Sequence, residues 1–246
     1  GERVITADDR TVQVWDTATG QPASVARQLV NATLLSSDGK RILTVAPDAA
    51  NRVQVWDPTT GQSVALLMDP SNRVLRASFS PHGEWVLTTS DDKAARVWDA
   101  VTGQPVSAPM RHQEAVAVAA FSPNGTRVVT AEVDPWPQRV FVGGRGVTLV
   151  TPGGPAPKGE GWGHWAARVW DAATGQPVFG PLQHGAQVTV ASFCPDGWRV
   201  VTGSEDQTAR VWNAATGQPI SGPLQHEAAV AVAAFSPNGK WVVTAS

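Results

Sequence analysis

The tightest constraint on this chain is that it repeats. Val-Trp-Asp occurs at Trp15, Trp56, Trp98 and Trp170, and Val-Trp-Asn at Trp212. Successive tryptophans stand 41, 42, 72 and 42 residues apart, so the third gap is one period plus an insertion of about 30 residues. A unit of this length cannot cover its own apolar face, and several must stack to make a core.

Other markers keep the same phase. Thr-Gly-Gln follows each tryptophan, at Thr19, Thr60, Thr102, Thr174 and Thr216. Between them lie the turn sequences SPHG at Ser80, SPNG at Ser122, CPDG at Cys194 and SPNG at Ser236, with SSDG at Ser36. Proline sets φ for turn entry, and Asn, Asp or His followed by Gly closes a hairpin. The intervening runs (VLRASF, EWVLTT, ARVW, VAVAAF, RVVTA, VTVASF, WRVVTG) are short, rich in Val and Thr, and only partly alternating. They read as β-strands, four to a period, in an all-β chain. Gly and Pro total 42 of 246 residues and fall at these regular turns, which excludes a disordered or helical reading.

Composition narrows the function classes. A formal net charge of −2 offers no phosphate-binding surface, so nucleic acid is not expected as a partner. No apolar run approaches the roughly 18 residues of a membrane span. The opening GERVITADD has neither a basic start nor an apolar stretch, so it does not read as a signal peptide. The single cysteine, Cys194, precludes a disulfide within the chain and fits a reducing, cytoplasmic setting.

The Trp-Asp pairs, the 42-residue period, the Phe-Ser-Pro-Asn-Gly turns and the spacings Ser90–Asp92–Trp98 and Ser204–Asp206–Trp212 resemble the WD40-repeat family, over nearly the whole chain outside the insertion. Wording such as VWDAATGQPV is similar to bacterial WD40 arrays. The resemblance implies a WD40-type β-propeller of four-stranded antiparallel blades, with five to six blades represented in one domain over residues 1–246. Gly1–Ala7 aligns with Gly239–Ala245, leaving two readings: a five-bladed ring closed by both termini, or, as favoured, part of a seven-bladed ring. An open ring would expose edges and self-associate.

The family further implies a buried polar set in each blade. The unit ending at Trp212 matches fully, with His184, Thr202 (or Ser204), Asp206 and Trp212. The unit ending at Trp98 keeps Asp92 but has Pro70 at the His position; that ending at Trp56 has Ala26 there. The unit ending at Trp170 has His112 and Thr130, with Asp134 the candidate carboxylate beside the insertion. His, Asp and Thr together also fit a nucleophilic triad. The set recurs blade by blade, however, where a nucleophile needs one unique set in a pocket. His112, His184 and His226 occupy equivalent positions in different blades, too dispersed for one metal ion. No catalytic residue, metal or cofactor is therefore expected.

Of the remaining tryptophans, Trp85, Trp198 and Trp241 recur at the start of the second strand and are expected to pack between blades. Trp136, Trp162 and Trp165 do not repeat and belong to the insertion, Val133 to Trp165, between the second and third strands of one blade. There RVFVGGRGVTLV reads as a hairpin and TPGGPAPKGEG as a linker. A long insertion is a tolerated loop, a partner-contacting flap carrying Trp136, Phe141, Arg145, Trp162 and Trp165, or a segment whose Trp136 or Trp165 caps the blade edge. The function expected is a non-catalytic protein-interaction scaffold, a docking module of a signalling protein. The alternatives are a ligand-binding or enzymatic central channel, and a purely structural array.

Overall fold

The structure, a computed structural model, describes residues 3–7, 11–27, 32–45, 53–67, 73–133, 140–143, 147–150 and 165–246. The described residues hold strands and turns and no helix. The first sheet contains β1 (Arg3–Ala7), β2 (Thr11–Asp16) and β3 (Pro22–Arg27). The second contains β4 (Ala32–Leu35), β5 (Ile42–Val45), β6 (Val53–Trp56) and β7 (Ser63–Leu67). The third contains β8 (Val74–Phe79), β9 (Trp85–Ser90), β10 (Ala94–Asp99) and β11 (Met110–Arg111).

The fourth sheet is interrupted. Its strands β12 (Ala115–Phe121) and β13 (Arg127–Val133) continue, after a separate hairpin of β14 (Val140–Gly143) and β15 (Val147–Val150), into β16 (Ala166–Asp171) and β17 (Leu182–Gln183). The fifth runs β18 (Val188–Phe193), β19 (Arg199–Ser204), β20 (Thr208–Asn213) and β21 (Leu224–Gln225), and β22 (Val232–Phe235) pairs with β23 (Val242–Ala245). Every pairing is antiparallel between sequence neighbours, apart from the skip over the insertion, where β13 pairs β16 with Val128 opposite Trp170. In sequence the β14–β15 hairpin lies between β13 and β16.

The partial alternation of the strands has a packing cause. β9 and β19 are buried on both faces beyond their first residue, and β13 between its first and last, so both faces carry mainly small or β-branched residues such as Val, Thr, Ala and Gly, with Glu132 of β13 the charged exception. The chain divides into two compact units, Gly1–Asp92 with Arg96–Pro109, and Lys93–Ala95 with Met110–Ser246. In the first, Leu43, Val53 and Val55 of the second sheet meet Val74, Val86 and Trp98 of the third. In the second, Val129, Val169 and Leu182 of the fourth sheet meet Val188, Ala191 and Trp212 of the fifth, which in turn packs through Val190 and Val201 on Ala233.

The two repeated turns are held by side chains as well as backbone. In the Ser122 turn, Gly125 N donates to Ser122 O at 2.8 Å and Arg127 N to Ser122 Oγ at 2.9 Å. In the Thr-Gly-Gln turn, Asp171 Oδ1 accepts from Ala173 N, Thr174 N and Thr174 Oγ1 at 2.9–3.1 Å. Asn213 Oδ1 accepts from Ala215 N and Thr216 N at 2.8 and 3.1 Å, which explains why Trp-Asn can replace Trp-Asp at Trp212: the turn uses an oxygen, not a charge. The glycine of this turn is required twice over. Gly217 has φ +72°, and a Cβ there would stand 2.5 Å from the Phe179 ring of the preceding sheet.

An arginine on the second-strand side also ties sheet to sheet. Arg41 Nη1 donates to Gly83 O at 2.9 Å, Arg127 Nη1 to Ala214 O at 2.6 Å and Arg199 Nη2 to Gly239 O at 2.7 Å. This corrects the expectation for the tryptophans. Trp85 is half-buried, but Trp198 is 67% and Trp241 74% exposed. Trp198 stands one residue before the arginine position, on the outward side of its turn. Trp241 takes the arginine position, but no described sheet follows β22–β23 to cover it.

Leu182 and Leu224 are equivalent by repeat, yet Leu182 is 1% and Leu224 37% exposed. Leu182→Ala is expected to lower unfolding free energy by about 2–5 kcal/mol, and Leu224→Ala by less than about 1 kcal/mol. Denaturant titrations of the two variants against the parent chain check this, and equal losses would contradict the packing described.

Candidate functional site

The polar set is built on strands two and three. Residues on neighbouring strands bring a threonine hydroxyl under the indole of the repeated tryptophan, and in all five sheets that carry this tryptophan the indole N–H finds it. Trp15, Trp56, Trp98, Trp170 and Trp212 donate from Nε1 to Thr6, Thr44, Thr88, Thr130 and Thr202, at 2.7–2.9 Å.

The fifth sheet brings His184, Thr202, Asp206 and Trp212 together. Thr202 Oγ1 lies 2.7 Å from His184 Nε2, and His184 Nδ1 lies 3.0 Å from Asp206 Oδ2. Because Thr202 Oγ1 already accepts the indole proton, its own hydroxyl proton points to Nε2. That leaves the imidazole proton on Nδ1, directed at the carboxylate, and the ring neutral. Burial holds the His184 pKa below its ordinary value, despite the opposing pull of Asp206. Burial would raise Asp206, but hydrogen bonds from Thr208 and Gly185, with His184 beside it, outweigh that and bring it down to about 2. Thr202, not Ser204, is the hydroxyl of the set; Ser204 Oγ donates to Ala186 O and accepts Asp206 N.

The fourth sheet repeats the set with a different carboxylate. His112 Nε2 meets Thr130 Oγ1 at 3.0 Å, and Nδ1 meets Glu132 Oε1 at 2.8 Å. Asp134, the carboxylate expected from sequence, lies outside the described residues, and Glu132 fills the role. Thr130 and Glu132 are two apart on β13 and so share a face, and the extra methylene of Glu reaches from the strand what Asp206 reaches from a turn. The alternation Thr-x-Glu was the available signal. Burial opposes ionisation of Glu132, but the His112 hydrogen bond and charge, with Arg168 Nε 3.9 Å away, hold its pKa below the usual value.

In the third sheet Pro70 is outside the described residues, and Asp92 is engaged by Arg96, whose Nη1 donates to Oδ1 at 3.1 Å while Nη2 faces Oδ2. A guanidinium fork here engages the carboxylate at the position where the fifth sheet uses an imidazole. In the last pair of strands, His226 Nε2 meets Thr244 Oγ1 at 2.9 Å.

These groups are spent on one another. Thr202 is fully buried, its oxygen accepts from Trp212 and its proton is committed to His184, so the triad-like order of Thr, His and Asp presents no nucleophile to solvent. Among the described residues no group of three His, Cys, Asp or Glu side chains is placed to hold a metal ion, and no helix is long and apolar enough to cross a membrane.

Of the candidate partner-contacting residues, Trp136, Arg145 and Trp162 lie outside the described residues. Phe141 lies on β14, opposite Leu149 of β15. Trp165 is half-buried at the foot of β16, and its carbonyl accepts from His184 N at 3.0 Å, so the base of the insertion adjoins the polar set of the next sheet.

A family model, the WD domain, G-beta repeat, matches residues 61–99, 175–213 and 217–246. These matches support a WD40-repeat family, and the four-stranded antiparallel sheets have the build of WD40 β-propeller blades. The crystal structure of the computationally designed Ika8 protein matches 96% of the chain at 26% identity, with a TM-score of 0.66, and the chain spans 63% of that protein's length. None of the curated proteins compared with the chain matches it.

The lowered pKa values of His184 and Asp206 act on stability in the same direction. The folded chain resists protonation of His184, so the unfolded chain takes that proton first and stability falls as pH drops below about 6.5. Asp206 adds a second loss between pH 3.8 and about 2, on the order of 2 kcal/mol. Asp206→Asn is expected to lower stability at pH 7 by about 1–3 kcal/mol and to flatten the curve at the acid end, as read from urea unfolding between pH 8 and 3.

Proposed function

We propose that the chain is a protein-interaction scaffold whose blades hold a recognition element in place and do no chemistry themselves. WD40 domains generally mediate protein–protein contacts. The observation that carries the reading is the contrast between repeated and unrepeated parts. The chemically capable groups described, from His184 to Glu132, are engaged inside blades. Among the described residues, one blade inserts an extra hairpin between its second and third strands. A rigid scaffold presenting one unrepeated segment is the usual build of a recognition surface.

On this reading the partner contacts fall on the insertion, with Trp136, Phe141, Arg145, Trp162 and Trp165 as anchors. The repeat wording favours a docking module in a bacterial signalling chain, and the one described cysteine, Cys194, buried and free, fits a cytoplasmic setting.

Removal of Pro135–His164 is expected to abolish capture of partner proteins from a lysate of the producing cells, while the melting temperature of the chain stays within a few degrees. Identical capture by intact and shortened chains would overturn the assignment of recognition to the insertion.

A further inference from the structure

Six asparagines stand in the chain, and two of them, Asn124 and Asn238, precede a glycine. Both lie in the repeated turn between first and second strands, and both are exposed. Each holds its turn through Oδ1. Asn238 Oδ1 accepts from Ser236 Oγ at 2.7 Å and from Lys240 N at 3.0 Å. Asn124 Oδ1 accepts from Ser122 Oγ at 2.7 Å, Thr126 N at 3.2 Å and Thr126 Oγ1 at 2.9 Å.

This geometry has a chemical side. A side-chain oxygen bonded to the amide two residues on closes a ring that includes Cγ and the intervening glycine nitrogen. The side chain is folded over its own peptide bond to glycine, with Cγ held toward that nitrogen. Glycine has no Cβ to obstruct the approach. The donors on Oδ1 stand where negative charge develops when that nitrogen attacks Cγ, as the donors of an oxyanion hole do.

We infer that Asn124–Gly125 and Asn238–Gly239 are self-modification sites, where the turn promotes conversion of asparagine to aspartate and isoaspartate. The glycine N–H, now directed at the carbonyl of Ser122 or Ser236 at 2.8 Å, gives its proton to hydroxide. The nitrogen bonds to Cγ, the Cγ–Nδ2 bond breaks, and Nδ2 takes a proton from water and leaves as ammonia. Water then opens the resulting cyclic imide at either carbonyl. In sum, one water is consumed, one ammonia is released, and nothing is oxidised or reduced.

The two products differ in consequence. Aspartate already stands at this position in the second sheet, where Asp38 Oδ1 accepts from Ser36 Oγ at 2.6 Å and from Lys40 N at 3.0 Å. Isoaspartate adds a carbon to the main chain just before Gly239, whose carbonyl accepts from Arg199 Nη2 at 2.7 Å. At Asn238 one product keeps the joint to the preceding sheet and the other loosens it.

The test holds the intact chain at pH 8 and maps its peptides over time by mass spectrometry, separating isoaspartate from aspartate by chromatography. Asn213 is the internal control: its Oδ1 accepts from Ala215 N at 2.8 Å and Thr216 N at 3.1 Å, but Ala214 follows it. Asn124 and Asn238 are expected to lose their amides at least about tenfold faster than Asn213. Equal rates at the three positions overturn the inference. Ser236→Ala removes one donor from Oδ1 and is expected to slow the loss at Asn238 at least about fivefold, with Asn124 unchanged. A rate at Asn238 that stays the same or rises overturns the turn's part in the reaction. Asn238→Asp is expected to melt within a few degrees of the parent chain, and the aged fraction carrying isoaspartate at 238 to melt lower. Equal melting of these two overturns the distinction between the products.

Discussion

The hydrogen bond from each repeated indole to a threonine one strand away organises everything else. A buried indole N–H without an acceptor costs on the order of 1–3 kcal/mol. The acceptor must therefore be placed as reliably as the tryptophan itself. Because the donor is on the third strand and the acceptor on the second, the bond favours one register of the pair. A slip of one residue would turn the threonine to the opposite face. Val200 stands opposite Trp212 and Thr202 opposite Arg210, so the indole reaches diagonally across the ladder to its partner. The histidine and carboxylate are additions to this bond, present in some blades and replaced in others.

That hierarchy explains what was legible in the sequence. The sheets, their turns and the hairpin within the insertion follow from local patterns repeated in phase, and each repetition reinforces the others. The set around Trp212 was legible because every member stands at its usual spacing. Glu132 was not read as the carboxylate of the next set because attention to turn positions pointed to Asp134. The deciding fact is which face of β13 a residue shares with Thr130, and that needs the register. Arg96 was likewise unmarked. A guanidinium four residues from Asp92 is ordinary in sequence, and its role emerges only where strand β10 brings it back to the turn. Trp198 and Trp241 show the opposite failing. They recur near one another in phase, but a single-residue offset and an uncovered face put both in solvent.

The insertion is where repetition stops and where sequence reasoning thins. Its hairpin was readable from glycines flanked by alternating residues. Its approach to β18 of the next blade was not, since nothing local encodes which part of a neighbour an inserted strand will meet. The blade that carries it also carries the glutamate form of the polar set. There the carboxylate sits on the strand, so the set does not need the turn that the insertion occupies.

The arginine ties between blades have a consequence for how such a chain grows. Arg41, Arg127 and Arg199 each grip a main-chain carbonyl in the following blade, at Gly83, Ala214 and Gly239. The acceptor is main chain, so the grip asks no functional group of the receiving residue, only the backbone shape that presents the oxygen. At Gly83 and Gly239 that shape needs glycine: φ is +73° and +68°, and a Cβ would stand 3.0 Å from Ser36 Cβ and 2.8 Å from Cys194 Sγ. The turn that supplies this glycine is itself part of the repeat, so arginine and glycine travel together as plug and socket, and a duplicated unit brings its own half of the joint.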